Sequence, residues 1–420
     1  MARILVRHIK RYDIVSSSSL KDQIMKNCPI CISANFFTFY QSEFGLFPNR
    51  YLNTQHLKSG GAFYNFRLGF CESCRTVVNI NESSDSEMFF DYVYRTPENL
   101  ESLESIPKLK EFLVRELCLN KIQILEVGGN SGFYLRNLIA SLDADGLRCD
   151  AVLLDKVEPA SMNSSDSCIW INDFLTDNAV DNYQLESKFD LVIARHCMAH
   201  NLDALKLFRN LIEVTSHRGL IYIELTDLDE IFKSSNFGQF YPEHRYSFSK
   251  TSIETLCRVC GVQLVGSIDL QIHGGSAGYL IRPLPAGSGF RSGGPSDQPL
   301  NSLTASVVRQ KHEAWLRRGE ELVSRYREFS DLVLWGCSAK AVYSLNQFAL
   351  GSVDFFEAVW DSTVEKASLF PPGFTTHVTS EPYFKPASKN IVLGAPNFAV
   401  LTQRIVDYEL NIVGEFDRPH

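Results

Sequence analysis

From Ile122 onward the chain alternates two kinds of apolar pattern. Short, mainly apolar runs, IQILEV (122–127), DAVLLD (150–155), FDLVIA (189–194) and GLIYIEL (219–225), read as strands of a covered sheet. Between them lie stretches with apolar residues three and four apart, such as FYLRNLIASL (133–142), which read as helices covering those strands. This alternation predicts a doubly wound α/β sheet. A helix is also predicted from about Pro97 to Leu119, on Leu100, Leu103, Leu109, Phe112, Leu113 and Leu117. The segment before it, reaching about Arg95, is rich in aromatic residues and cysteine. Beyond the sheet, PLPAGSGFRSGGPSDQP (283–299) offers little apolar surface to bury and reads as a linker. A long polar helix is predicted over Leu300–Ser330, followed by a second α/β unit that opens with the strand DLVLWG and the turn GCSAKA. The expected division is 1–95, 96–285 and 286–420.

At 420 residues the chain is too long for one ordinary core, which agrees with several domains. A net charge of −8 and a pI near 5.7 argue against a nucleic-acid binder, which needs a basic stripe to displace counterions. The first residues, MARILVRHIKRYDIV, break their apolar positions with Arg, His and Lys, so no signal peptide is expected. Eleven cysteines is an odd count, and without such a signal they read as reduced thiols and metal ligands in the cytoplasm. No stretch has the length and apolarity of a membrane span.

Four of those cysteines stand as two knuckles, Cys28-Pro-Ile-Cys31 and Cys71-Glu-Ser-Cys74. Each presents two thiolates on one tight turn, and two knuckles joined by a hairpin close a tetrahedral zinc site of the structural kind. Cys257 and Cys260 share this spacing but sit in a helical pattern without a second pair, so they read as buried structural residues. His196 and His200 follow a strand directly without an acidic neighbour, and a metal role is not assigned to them.

The run ILEVGGNSG (124–132) joins a strand, an acidic residue, a glycine turn and a helix. Glycines there let the backbone approach a nucleotide at a helix N-terminus. The spacing G-x-N-x-G differs from the dinucleotide fingerprint and fits the first loop of S-adenosylmethionine (SAM) methyltransferases, with Glu126 under the amino-acid end of the ligand and Gly128, Asn130 and Gly132 in the loop. Asp155 or Glu158, after the next strand, could accept both ribose hydroxyls. Asp173 could meet the adenine amino group and Phe174 the adenine face, and FDLVIARHCMAHNLD (189–203) has the form that closes such a pocket. Downstream, FGQFYPEHRYSFSK (237–250) sets Tyr241, Glu243 and His244 almost side by side. A phenol, a carboxylate and an imidazole so placed suit an oxyanion donor, an orienting group and a general base.

Taken together, these motifs resemble the nucleotide-deoxysugar C-methyltransferase family, over nearly all of the chain from Cys28 onward. That family pairs C-x-x-C knuckles (Cys28, Cys31, Cys71, Cys74) with E-x-G-x-N-x-G (Glu126, Gly128, Asn130, Gly132). Its Y-H-E-H and Y-x-F-S segments are matched by Tyr241, Glu243, His244 and Tyr246–Ser249. Its V-H-G-G-S-L-R stretch is matched in part by Ile272–Ser276, and G-x-x-A-K-x-x-x-x-L-N by Gly336, Ala339, Lys340, Leu345 and Asn346. The chain departs from the pattern at Pro242, where the family has histidine, and at Ser131, where an acid is usual. Ala277, Gly278 and Tyr279 stand where Leu-Arg would follow Ser276.

The resemblance implies an N-terminal zinc module, a central Rossmann-like SAM methyltransferase domain and a second, C-terminal Rossmann-like α/β domain that holds a nucleotide-sugar. The activity it implies is methylation of the carbon beside a ketone in a nucleotide-activated deoxysugar. His244 would be the base, Glu243 would orient it, and Tyr241 would donate to the enolate, with Tyr92 or Tyr94 as a second tyrosine. His273, Gly274, Gly275 and Ser276 would line the sugar cleft, and Gly336 and Lys340 the diphosphate. Two other readings remain open: a SAM-dependent O- or N-methyltransferase of a small metabolite, and a zinc-ribbon binding protein with a degenerate methyltransferase domain.

Overall fold

A computed structural model describes residues 25–55, 64–81, 98, 100–117, 120–159, 168–186, 188–284, 303–380, 390–394 and 411–415. The first sheet is formed by β1 (Phe36–Gly45), β2 (Tyr64–Cys71) and β3 (Val77–Ile80). A seven-stranded sheet follows, built from β4 (Lys121–Val127), β5 (Arg148–Leu154), β6 (Cys168–Ile171), β7 (Phe189–Arg195), β8 (Thr215–Thr226), β10 (Val262–Leu270) and β11 (Ser276–Pro283), in the order β10-β11-β8-β7-β4-β5-β6. The short β9 (Tyr246–Ser247) leaves this region and pairs antiparallel with β3 as the fourth strand of the first sheet. A third sheet, all parallel, contains β12 (Leu332–Trp335), β13 (Ala358–Trp360), β14 (Val378–Thr379), β15 (Asn390–Leu393) and β16 (Asn411–Glu415), in the order β14-β13-β12-β15-β16.

All four expected central strands form, and their mainly apolar runs have the cause anticipated, for both faces of the sheet are covered. One face packs α1 (Ile106–Leu117) and α2 (Phe133–Asp143) against Ile122, Ile124, Leu153, Leu191 and Ile193. The other packs α4 (Ala204–Val214) against Leu125, Val127, Val192, Ala194 and Ile223; α3 (Asp177–Tyr183) precedes it in the chain. The helix expected from about Pro97 is shorter than the pattern suggested: a single 3-10 turn at Glu101–Leu103 precedes α1.

The first and third sheets share one apolar core. Phe66, Leu68 and Phe70 of β2 cluster with α5 (Leu228–Ser234), with the turn Phe237–Phe240, and with Val308, Val342, Leu345 and Leu334. These last come from α7 (Ala305–Tyr326), α8 (Ala339–Phe348) and β12, while α6 (Lys250–Cys260) packs with the central sheet. A bridge between Leu52 and Phe370, and a 2.8 Å bond from the Tyr51 hydroxyl to the Cys337 carbonyl, tie the same two units together. Residues 237–248 therefore lie where all three sheets are joined. The boundaries expected near residues 95 and 285 lie outside the described residues, as do Tyr92 and Tyr94.

Candidate active site

Strand order reverses between β4 and β7: the chain runs outward through β5 and β6, then returns to β7 and β8 on the other side. Ligands of open α/β sheets bind at the carboxyl ends of the strands flanking such a reversal. Glu126, one residue from the end of β4, is 1 % exposed, and its carboxyl lies beneath the loop that follows. A Cβ added at Gly129 would come within 2.6 Å of that carboxyl. Gly128 has φ +68°, and a Cβ there would meet Cys197 of the loop after β7 at 2.6 Å, so only glycine lets the two loops close together. Asn130 is also left-handed (φ 52°), and Gly132 is the N-cap of α2. Burial raises the Glu126 carboxyl to about 7 against the opposing charge of Arg195, and its Oε2 has no hydrogen-bond partner among the described residues.

The two acids left open after β5 differ in position. Asp155 accepts the amides of Asn130 (2.7 Å) and Val157 (2.7 Å) and so fixes the glycine loop, whereas Glu158 is exposed. Asp173 accepts the amide of Phe174 at 2.8 Å and lies 3.5 Å from Lys156, and the exposed Phe174 ring stands 5.6 Å from that ammonium. A flat face and a carboxylate therefore stand at the end of β6.

The turn 237–244 is built around His244. Its Nδ1 meets the Gln239 carbonyl at 2.8 Å; a carbonyl only accepts, so Nδ1 carries the hydrogen and Nε2 the lone pair. That lone pair accepts the Tyr241 hydroxyl at 2.7 Å. Here the sequence expectation is corrected. Glu243 does not orient His244: its buried carboxyl turns to the amide of Asn49 (3.1 Å), and Gln239 holds the imidazole instead. Burial, opposed by the Asn49 amide, raises the Glu243 carboxyl to about 8. Burial and then His200 hold His244 well below the usual histidine range.

Three more histidines join it. The His200 ring lies 4.8 Å from that of His244, and its Nδ1 donates to the Glu243 carbonyl at 2.8 Å. Burial lowers His200 to about 4. His196 and His273 meet edge to face at 4.7 Å. Both have left-handed backbones, φ 54° and 60°, a strain on the order of 1 kcal/mol each that non-glycine residues carry mainly at functional sites. His196 Nε2 contacts Glu224 at 3.1 Å. Glu224 is otherwise filled by Arg195 (2.8 Å), Ser105 (3.0 Å) and Tyr222 (2.8 Å). Burial pushes this carboxyl up, but Arg195 and His196 outweigh it and hold it well below the ordinary range.

The expected sugar-cleft residues reach the same place. Gln239 donates through Nε2 to the His273 carbonyl at 3.0 Å, and burial, then His196 and the charge of buried Lys340, lower His273. Gly238 allows this approach, since a Cβ there would stand 2.6 Å from the Ser344 hydroxyl of α8. Gly274 and Gly275 pack against Asn236 and Glu230, and the Ser276 hydroxyl closes its own turn onto the Ile272 carbonyl (2.9 Å). Gly336 follows β12, its amide donating to the Trp360 carbonyl at 2.7 Å, and Ser338 caps α8 just before Lys340. His196, His200, Gln239 and Glu224 carry much of this arrangement and were given no role in the sequence reading; the pairing of β7 with β8, which sets Arg195 opposite Glu224, brings the last to the first.

In the first sheet, the β1–β2 hairpin brings the knuckles together: the four Sγ atoms of Cys28, Cys31, Cys71 and Cys74 lie within 4.8 Å of one another, with two pairs at 3.5 Å. Thiolates about 2.3 Å from a tetrahedral ion stand about 3.8 Å apart, so the four fit a closed metal site. No other such group occurs among the described residues.

Comparison with known proteins agrees with the central sheet. Residues 100–266 match a family described as a methyltransferase domain. The C-methyltransferase NovU of Streptomyces niveus is 27% identical over 140 residues, 33% of this chain, and the match spans only 30% of that protein's length. Similar solved structures include magnesium protoporphyrin IX methyltransferase (ChlM) of Synechocystis PCC 6803 with bound SAH, 12% identical with a TM-score of 0.34, covering 44% of this chain and 84% of that one. A SAM-dependent methyltransferase of Leishmania major is 12% identical with a TM-score of 0.36, over 48% and 87% of the two chains. The part of the chain that matches the methyltransferase-domain family, residues 100–266, holds the glycine loop and most of the central sheet. Among the described residues no helix is long and apolar enough to cross a membrane.

Proposed function

We propose that the protein is a SAM-dependent C-methyltransferase that acts on the carbon beside a ketone in a nucleotide-activated keto-deoxysugar. The observation that carries this reading is the Tyr241–His244 pair: an imidazole that burial keeps neutral, whose one lone pair already accepts a phenol, beside the ring of His200, which burial lowers to about 4. Transfer to an amine or a hydroxyl needs at most one base. Removing a proton from carbon needs a base and also a donor for the enolate oxygen, and this pair supplies both. SAM, when bound over Glu126, Gly128, Asn130 and Gly132, supplies an electrophilic methyl group.

In this reading His244 takes the proton directly at Nε2, while the Gln239 carbonyl keeps Nδ1 protonated throughout. The phenol hydrogen, released from Nε2, turns to the ketone oxygen as charge develops there. Burial serves the same end, since it keeps His244 uncharged and able to accept. Lys340, at the start of α8, and the turn His273–Ser276 would hold the diphosphate and sugar between the central and C-terminal units, the latter working as a nucleotide-sugar domain. Asp155 or Glu158 would hold the ribose, and Asp173 and Phe174 the adenine. Cys28, Cys31, Cys71 and Cys74 would hold a structural zinc ion that fixes the first sheet. The division 1–95, 96–285 and 286–420 and a cytoplasmic location belong to the same reading.

The test is a panel of nucleotide-activated keto-deoxysugars incubated with SAM and read by mass. A product one methylene heavier, formed from a keto-sugar and not from its reduced alcohol, is expected. Equal methylation of the alcohol would favour the O-methyltransferase reading.

A further inference from the structure

His196 has no part in the mechanism above. His196 is tied to Glu224 twice: its amide donates to the Glu224 carbonyl at 2.7 Å, and its Nε2 meets the Glu224 carboxylate at 3.1 Å. A carboxylate accepts only, so Nε2 carries a hydrogen, and whenever the ring is neutral the lone pair is on Nδ1. Nδ1 has no hydrogen-bond partner among the described residues, and the side chain keeps 24% exposure while Glu224 keeps 1%. The carboxylate is itself immobile, because Arg195, Ser105 and Tyr222 fill its remaining positions. A base oriented by a buried carboxylate that other groups hold in place is an arrangement suited to general-base catalysis. The chain also accepts a left-handed backbone at a histidine to present it, and does so again at its ring partner His273.

His244 is built differently. Its ring pairs with His200 rather than with His273, its orienting group is a carbonyl, and its lone pair is covered by a phenol. The two imidazoles thus belong to separate ring pairs, His196 on the loop after β7 and His244 on the turn 237–244. We propose that His196, positioned by Glu224, is a second base of this site, which removes a substrate proton other than the one His244 takes. A ketone has two flanking carbons with acidic hydrogens, and a second base would serve the other. The C–H bond breaks, its proton passes to His196 Nδ1, and the electron pair is held as enolate on the ketone oxygen. Return of a proton from the imidazolium restores the ketone, so no oxidant or co-reactant is needed. The inference rests on the keto-sugar reading of the site.

The experiment is position-resolved hydrogen exchange. A thymidine diphosphate 4-keto-6-deoxyhexose is incubated in D2O with the full-length protein and S-adenosylhomocysteine, and deuterium at each carbon is followed by NMR. His196→Asn is the variant of choice, because asparagine tolerates a left-handed backbone and removes the base. It is expected to slow exchange at one flanking carbon by about a hundredfold or more, while His244→Asn slows it at the other. Glu224→Gln should act on the same carbon as His196→Asn. His196→Gly, which also fits the backbone, should regain exchange when imidazole is added, a rescue that a purely structural role would not give. The inference is overturned if His196→Asn exchanges every position at the wild-type rate, or if it affects only the carbon that His244→Asn affects. It is equally overturned if the wild-type protein methylates carbon yet exchanges nothing. Absence of methyl transfer to carbon in the wild-type protein sinks the proposed function itself.

Discussion

Glu126 offers a quantitative test of where the methyl donor binds. Its carboxyl is buried beneath the glycine loop, one oxygen has no partner among the described residues, and burial against Arg195 lifts it from 4.5 to about 7. The ammonium end of a bound SAM or S-adenosylhomocysteine, placed over it, would favour the ionised form. Binding must then draw off a proton wherever free Glu126 is protonated. The sign follows: affinity is full above about pH 7 and falls as pH drops through that value. Each unit is worth about 1.4 kcal/mol, so at pH 5, two units below, ionisation costs about 2.7 kcal/mol and affinity drops by as much as about a hundredfold. Titration calorimetry of S-adenosylhomocysteine from pH 5 to 8, in two buffers of different ionisation enthalpy, reads both the affinity and the proton released. Glu126→Gln should flatten the profile and abolish the release. A wild-type affinity that does not change with pH, or the same slope in Glu126→Gln, would refute the placement.

His244→Ala should lower kcat by about a hundred- to ten-thousand-fold and leave S-adenosylhomocysteine affinity unchanged, as measured by turnover and calorimetry on one preparation. The Cys28–Cys31–Cys71–Cys74 cluster should bind one zinc ion per chain by metal analysis; Cys71→Ser, or a strong chelator, should lower the melting temperature, since the knuckles close the β1–β2 hairpin. Glu243, raised to about 8, contributes stability that is present below pH 4.5 and lost as pH rises through 8. Glu243→Gln should therefore melt higher than the parent at pH 9 and lose that advantage by pH 5, seen by calorimetric scans.

The parts of this molecule legible in its sequence are those whose signal is local. The strands at Ile122, Asp150, Phe189 and Gly219 announced themselves because a sheet covered on both faces needs mainly apolar runs. The cysteine knuckles and the loop Gly128–Gly132 were visible for the same reason: each is a few residues whose spacing is itself the chemistry. Long-range geometry was not legible. Tyr246–Ser247 is too short to read as a strand, yet it joins β3 and draws the His244 turn toward the first sheet. The acidic neighbour that His196 lacked in sequence is Glu224, delivered by the parallel pairing of β7 and β8. Glu243 was assigned to orient its neighbour because a carboxylate is a visible partner. The Gln239 carbonyl that holds His244 leaves no mark in any sequence, since every residue has one.

The atom that receives the methyl group decides between methylation at carbon and at a heteroatom. With SAM carrying a carbon-13 methyl group and a nucleotide-activated keto-deoxysugar, carbon NMR of the intact product should show the label bonded to a ring carbon beside the ketone. A label bonded to oxygen or nitrogen would contradict methylation at carbon.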